Sequence, residues 1–212
     1  MPAGAARQTY HHGALRQALL DGARELLTER GSEGFSLNEL ARRVGVSSAA
    51  PYRHFADRET LLSALRDEGY DRFGATQLAA AAQAHDPADR IIRLVSAYLR
   101  FAEDNNAVFG MMFRYWSWTE VRADTFAPLV DAVTEAQRSG VLPADQSASD
   151  LARTIWSTIH GLTTLRLNGG LEKLGLDAPT DRLIRDTFAV ILRRPAGQDC
   201  ADRDSSGRSS PP

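Results

Sequence analysis

The segment SLNELARRVGVSSAAPYRHF, residues 36–55, constrains the fold more than any other part of the chain. Leu37, Leu40, Ala41 and Val44 recur at helical spacing and give a first short helix one apolar face. Ser36 precedes that run, and Glu39 follows three residues later. This is the arrangement of a capping box, in which each side chain satisfies a backbone N–H that the helix start leaves open. Gly45 ends the helix where a left-handed backbone is needed and a glycine adopts it at least cost. Val46 then turns inward. Ser47 or Ser48 caps a second helix that holds Pro51 in its first turn, where a missing N–H costs little. The small Ala41 permits the close crossing that such a pair of helices needs. The segment predicts a helix-turn-helix, a unit that offers its second helix to the DNA major groove.

The flanking sequence supplies the rest of an all-α chain. Residues 13–30 predict an amphipathic helix with Leu15, Ala18, Leu19, Ala23, Leu26 and Leu27 on one face, stopped by Gly31 and Gly34. Phe35 anchors the next helix from inside, and the three-helix unit closes near Phe55. Residues 1–10 are expected to be a flexible arm, in which Arg7 either reaches a minor groove or touches nothing. Asp57 caps a long helix running to about Gln83, and ~25 residues would span roughly 37 Å. Asp86-Pro87 opens another that ends at Asn105-Asn106. The aromatic stretch VFGMMFRYWSW follows, then a helix over 123–138. Ser147 or Ser149 caps a helix reaching about Asn168, and a last helix carries Leu183, Ile184, Thr187, Phe188, Ile191 and Leu192. The expected organisation is an arm over 1–10, a DNA-binding unit over 11–57, a larger helical domain over 58–194, and a disordered tail over 195–212.

Composition narrows the function classes. The net charge of −2 excludes a uniformly basic surface, so a nucleic-acid site must come from local charge. The basic residues are nearly all arginine, with Lys173 the one lysine. Cys200 is the sole cysteine, which rules out a disulfide framework or a cysteine zinc site. His11 and His12 have no further ligands nearby, so neither a metal nor a cofactor is expected. No apolar run approaches the roughly 18 residues of a membrane span, residues 1–10 do not read as a signal peptide, and a cytoplasmic location is expected. There is no glycine-rich phosphate loop, no G-x-S-x-G and no metal-ligand spacing.

Many positions in fixed order resemble the tetracycline-repressor (TetR) family of bacterial transcription regulators. They are the helix over 18–27, Gly31, Gly34-Phe35-Ser36, Leu40-Ala41, Val44-Gly45-Val46-Ser47, Tyr52-x-His54-Phe55 and Arg58-Glu59-x-Leu61. Trp156-x-x-x-His160-Gly161 is similar to the C-terminal domain of one branch of that family. Two departures stand out: Arg58 where lysine is more usual, and Pro51 within the recognition helix. The resemblance implies a homodimer joined through the last two helices, each subunit pairing a DNA-binding unit with a ligand pocket. It also implies a repressor that binds a palindromic operator and leaves it on binding a small-molecule effector.

The residues and the resemblance together nominate the sites. Ser47, Ser48, Ala49, Ala50 and Arg53 lie on or near the exposed side of the second helix, and Arg53 is the one long donor able to fork onto guanine. In the family's pattern Tyr52, His54, the charge at Arg58 and the hydroxyl at Ser36 hold phosphates, which set register without reading sequence. The alternative for Arg42, Arg43 and Arg53 is a solvated helix face. Tyr98, Phe101, Phe109, Met112, Phe113, Trp116, Trp156 and His160 either line a small-ligand pocket or are plain helical core. His160 either hydrogen-bonds a ligand or is satisfied inside the domain beside Trp156. A second apolar stripe on that helix, Leu151, Ile155, Ile159 and Leu162, is expected to face another subunit. The rival reading is a helical enzyme or metabolite-binding protein that uses His160.

Overall fold

The computed structural model describes residues 4–31, 34–114 and 125–191, and every regular element among them is helical. In chain order these are α1 (Gly4–Arg30), α2 (Leu37–Val44), a single 3-10 turn (Pro51–Arg53), α3 (Arg58–Ala81) and α4 (Pro87–Asp104). There follow α5 (Asn106–Arg114), α6 (Ala127–Arg138), α7 (Ala148–Leu167), the short α8 (Gly170–Lys173) and α9 (Thr180–Ile191). The expected tail over 195–212 lies outside the described residues. The first helix starts at Gly4, so it takes in residues expected to form an arm; Ala5, Ala6, Arg7 and Gln8 favour helix and no breaker separates them from Gly13. Gly169-Gly170, expected simply to stop α7, instead open the short α8, with Gly169 at its cap in a left-handed backbone.

The starts of these helices follow local hydrogen bonding. Ser36 Oγ accepts from the Glu39 N–H at 3.3 Å. Asp57 Oδ1 accepts from both the N–H and the hydroxyl of Thr60, which holds its carboxyl below the ordinary range. Asp86 Oδ1 accepts from the Asp89 N–H, with Pro87 in the first turn of α4. Of the two serines proposed for α7, Ser147 is the cap: its Oγ accepts from the Asp150 N–H and donates to that residue's carboxylate. At the end of α2, Gly45 sits at φ 76°, and Val46 N–H reaches back to the Ala41 carbonyl at 2.9 Å.

One hydrophobic core runs through the DNA-binding unit and the larger domain. Leu19, Leu20, Ala23, Leu26 and Leu27 of α1 are buried against Leu37 and Leu40 of α2, with Phe55 closing the unit. The core continues along α3 through Leu61, Leu65, Tyr70 and Phe73 into α4, α5, α6 and α7. α7 corrects an expectation. Ile155 and Ile159, assigned to a second subunit, are buried within the chain, and Leu151 and Leu162 pack against the same core. The reason is packing: α7 lies against both α4 and α6, which absorb the stripe. The side left outward carries Arg153, Thr154, Ser157, Gly161, Thr164 and Leu165.

Candidate nucleic-acid and effector sites

The recognition segment begins where Gly45 reverses the chain. Its winding is set by Pro51, which lacks the N–H that would complete an α-helical bond to the Ser47 carbonyl. The Ala50 N–H takes that carbonyl instead at 2.9 Å, Arg53 N–H bonds Ala50 O at 3.2 Å, and His54 N–H bonds Pro51 O at 3.0 Å. The i+3 pattern produces a turn and a 3-10 helix in place of the expected serine-capped α-helix. This tighter winding also moves one nominated residue. Ala50 is 8 % exposed and buried like Pro51 and Phe55, so it is not on the groove-facing side. Ser47, Ser48, Ala49, Tyr52 and Arg53 remain exposed, Tyr52 at 51 %.

Ion pairs sort the basic residues around this segment. Arg43 meets Glu29 through two hydrogen bonds, at 2.6 and 2.8 Å, and reaches Glu25 at 3.3 Å. Arg30 pairs with Glu39, and Arg24 ties α1 to Glu68 of α3 at 2.7 Å. Arg42 and Arg53 are exposed and make no ion pair among the described residues. Arg43 therefore belongs to the scaffold, while Arg42 and Arg53 keep their charge for a partner. Arg58 serves two ends: its Nε donates to the Phe35 carbonyl at 3.0 Å and its guanidinium lies 5.5 Å above the Phe35 ring. It thereby ties the start of α3 to the residue before the α2 cap. His54 is half-buried, its ring 6.5 Å from that of Phe55. Ser36 is exposed and uses its oxygen as the α2 cap, which leaves its proton to donate. One residue missed in the sequence is Arg16 of α1, exposed and 5.3 Å above the Phe55 ring. Only the fold brings it to the recognition end.

The nominated effector residues divide. Tyr98 of α4, Phe109 and Phe113 of α5, and Trp156 and His160 of α7 form one cluster, with Phe126 stacked edgewise on Trp156. At its centre the Tyr98 hydroxyl stands 2.8 Å from His160 Nδ1. Burial pushes the Tyr98 phenol well above its ordinary value, with the Trp156 indole N–H acting in the opposite direction. Burial lowers the His160 pKa, so the neutral imidazole is favoured. Phe101 lies deeper, against the Phe73 ring at 5.2 Å, and Met112 is fully buried under α3. Trp116 lies outside the described residues. Among the described residues no cluster of metal-ligating side chains occurs, and no helix is long and apolar enough to cross a membrane.

Two family models match separate parts of the chain. A family model described as bacterial regulatory proteins, tetR family, matches residues 19–65, from α1 through the recognition turn into α3. A second, tetracyclin repressor-like C-terminal domain, matches residues 91–191. An uncharacterised HTH-type transcriptional regulator of Mycobacterium tuberculosis is 33% identical over 90 residues, 42% of this chain and 45% of that relative, so the match spans less than half the relative's length. Another from the same species is 25% identical over 193 residues, 87% of this chain and 81% of the relative. Among solved structures, a protein of unknown function from Rhodococcus sp. RHA1 is 35% identical with a TM-score of 0.75, covering 88% of this chain and all of that one. The models and the regulators they match are transcription factors rather than enzymes, which removes the catalytic reading of His160. The chain belongs to the TetR family of transcriptional regulators and carries that family's DNA-binding domain.

Proposed function

We propose that the chain acts as a cytoplasmic homodimer that represses transcription from a palindromic operator and leaves it when a small, mainly apolar or aromatic effector enters the larger domain. Ser47, Ser48, Ala49 and Arg53 face base edges in this reading, and Ser36, Tyr52, His54 and Arg58 face phosphates. The observation that carries it is the position of α5 between the aromatic cluster and the long helix α3. α5 gives Phe109 and Phe113 to the cluster. On α3, a Cβ at Gly69 would stand 2.8 Å from Val108 Cγ1 and 3.0 Å from Met112 Sδ, so the helices meet where only glycine fits comfortably. The Tyr70 hydroxyl donates to the Met112 carbonyl of α5 at 2.9 Å. α3 in turn begins three residues after Phe55. An effector that displaces α5 therefore displaces α3 and with it the recognition end of the DNA-binding unit, provided it binds the displaced state more tightly.

The outward face of α7 supports the homodimer. Gly161 lies inside the helix, and a Cβ there would meet nothing within 4 Å. A mid-helix glycine costs about 1 kcal/mol relative to alanine, a cost that has a reason if another helix approaches closely at that point. Pairing through α7 and α9 would set the two recognition turns about 34–36 Å apart, one turn of duplex. A gel shift on the DNA flanking its own gene, with sedimentation of the free protein, tests the reading. A dimer that shifts a palindromic site and releases it with a cell extract's small-molecule fraction is expected. A monomer, or absence of any shifted site at modest salt, would sink it; reporter transcription that falls on deleting the gene would replace repression by activation.

A further inference from the structure

The Tyr98–His160 pair leaves one hydrogen-bond donor unspent. His160 is half-buried, with the rings of Phe113, Trp156, Phe109 and Tyr98 at centroid distances of 5.0, 5.6, 6.0 and 6.3 Å. The Tyr98 phenol is buried and needs an acceptor for its single proton. The Trp156 indole N–H, which also acts on that hydroxyl, is a donor only. His160 Nδ1, at 2.8 Å, is the acceptor in reach among the described residues. Tyr98 thus donates to Nδ1, and a neutral His160 carries its proton on Nε2. No hydrogen bond from that Nε2–H is found among the described residues, and His160 is half-buried rather than fully enclosed. Protonating the ring would put a second N–H against Tyr98 and strand the phenol proton, so the geometry itself disfavours a charged imidazole.

We infer that His160 Nε2–H is the specificity-determining donor of the effector site, held outward by Tyr98, and that the effector has an aromatic or fused-ring body bearing a neutral carbonyl oxygen of ketone, ester or amide type. This rests on the reading of the larger domain as an effector domain. An apolar cage with one fixed donor favours a ligand with one acceptor in its apolar surface. A pure hydrocarbon leaves the donor unpaired, and a cation meets a donor where it needs an acceptor. A carboxylate calls for a charged imidazole, which the cage and the phenol oppose. Tyr98 is a positioning residue: it need not touch the ligand, but it decides which nitrogen carries the proton.

The test uses the full-length protein and three probes of one shape: indane, 1-indanone and indane-1-carboxylate, titrated by calorimetry. 1-Indanone is expected to bind roughly 3- to 10-fold more tightly than indane, the span of one neutral hydrogen bond, and more tightly than the carboxylate. His160→Phe should erase the preference for the ketone over the hydrocarbon. Proton–nitrogen correlation spectra of histidine-labelled protein should find His160 protonated at Nε2, and Tyr98→Phe, which keeps the ring, should turn it into a mixture of tautomers. Equal binding of indane and indanone, stronger binding of the carboxylate, no binding of any probe, or an Nδ1-protonated ring in the unaltered protein would each overturn the inference. Operator gel shifts run alongside separate the two readings. A ketone preference without any effect on DNA leaves the site standing and removes the effector-release mechanism, whereas release by other compounds with no ketone preference removes only the inference.

Discussion

The recognition segment and the aromatic cluster are built in opposite ways. Residues 47–55 are contiguous, and Ser47, Ser48, Ala49, Tyr52 and Arg53 are exposed, Arg53 with no ion pair among the described residues. The cluster draws Tyr98 from α4, Phe109 and Phe113 from α5, and Trp156 and His160 from α7, all turned toward one another. In the first region the backbone carries the structure, and the side chains proposed for DNA contact are left exposed. In the second the same side chains hold the domain together and would line the proposed effector site, so a change there alters packing as well.

That contrast breaks most visibly in stability. Phe109→Ala should destabilise the protein by about 3–5 kcal/mol, because it removes a buried ring from the centre of the cluster; chemical denaturation measures it. A loss under 1 kcal/mol would mean that the cluster is a loosely filled site rather than core. Arg53→Ala should leave the denaturation midpoint unchanged and relax operator preference at one base-pair position by about 1–3 kcal/mol. An unchanged preference, with a shallower salt dependence, would move Arg53 to the phosphate contacts.

Two smaller effects probe the joint between the regions. Tyr70→Phe removes the donor to the Met112 carbonyl and should cost about 1 kcal/mol, together with a weaker response of DNA binding to effector. Unaltered effector response would mean that α5 does not carry the signal. The last effect is one of pH. Because burial lowers the His160 pKa below its ordinary 6.5, the unfolded chain takes up the proton first as pH falls. The favourable contribution of the neutral ring is complete above about pH 6.5 and is lost as pH drops below it. The denaturation midpoint should fall between pH 7.5 and 5.5 by more in the unaltered protein than in His160→Phe; equal slopes would place His160 in solvent.

The local elements were legible because they depend on bonds within four residues. Ser36, Gly45, Asp57, Asp86 and Ser147 all cap where the pattern put them, since a cap needs only its own turn of helix. The 3-10 winding at Pro51 had a local cause too, the missing N–H, although the pattern of apolar residues is compatible with either winding. The remaining assignments depended on which helix faces meet. Arg43 looked as available as Arg42 until α1 brought Glu25 and Glu29 beside it. The stripe of Ile155 and Ile159 pointed to a second subunit until α4 and α6 covered it.

Sequence by itself determined an all-α regulator of the TetR family, its caps and the exposed Arg53, because helical periodicity and capping are written within single turns. Only the tertiary structure decided that Tyr98 and His160, 62 residues apart, are joined by a hydrogen bond. That bond exists because α4 and α7 cross where both residues face inward, and no spacing along the chain encodes where two helices cross.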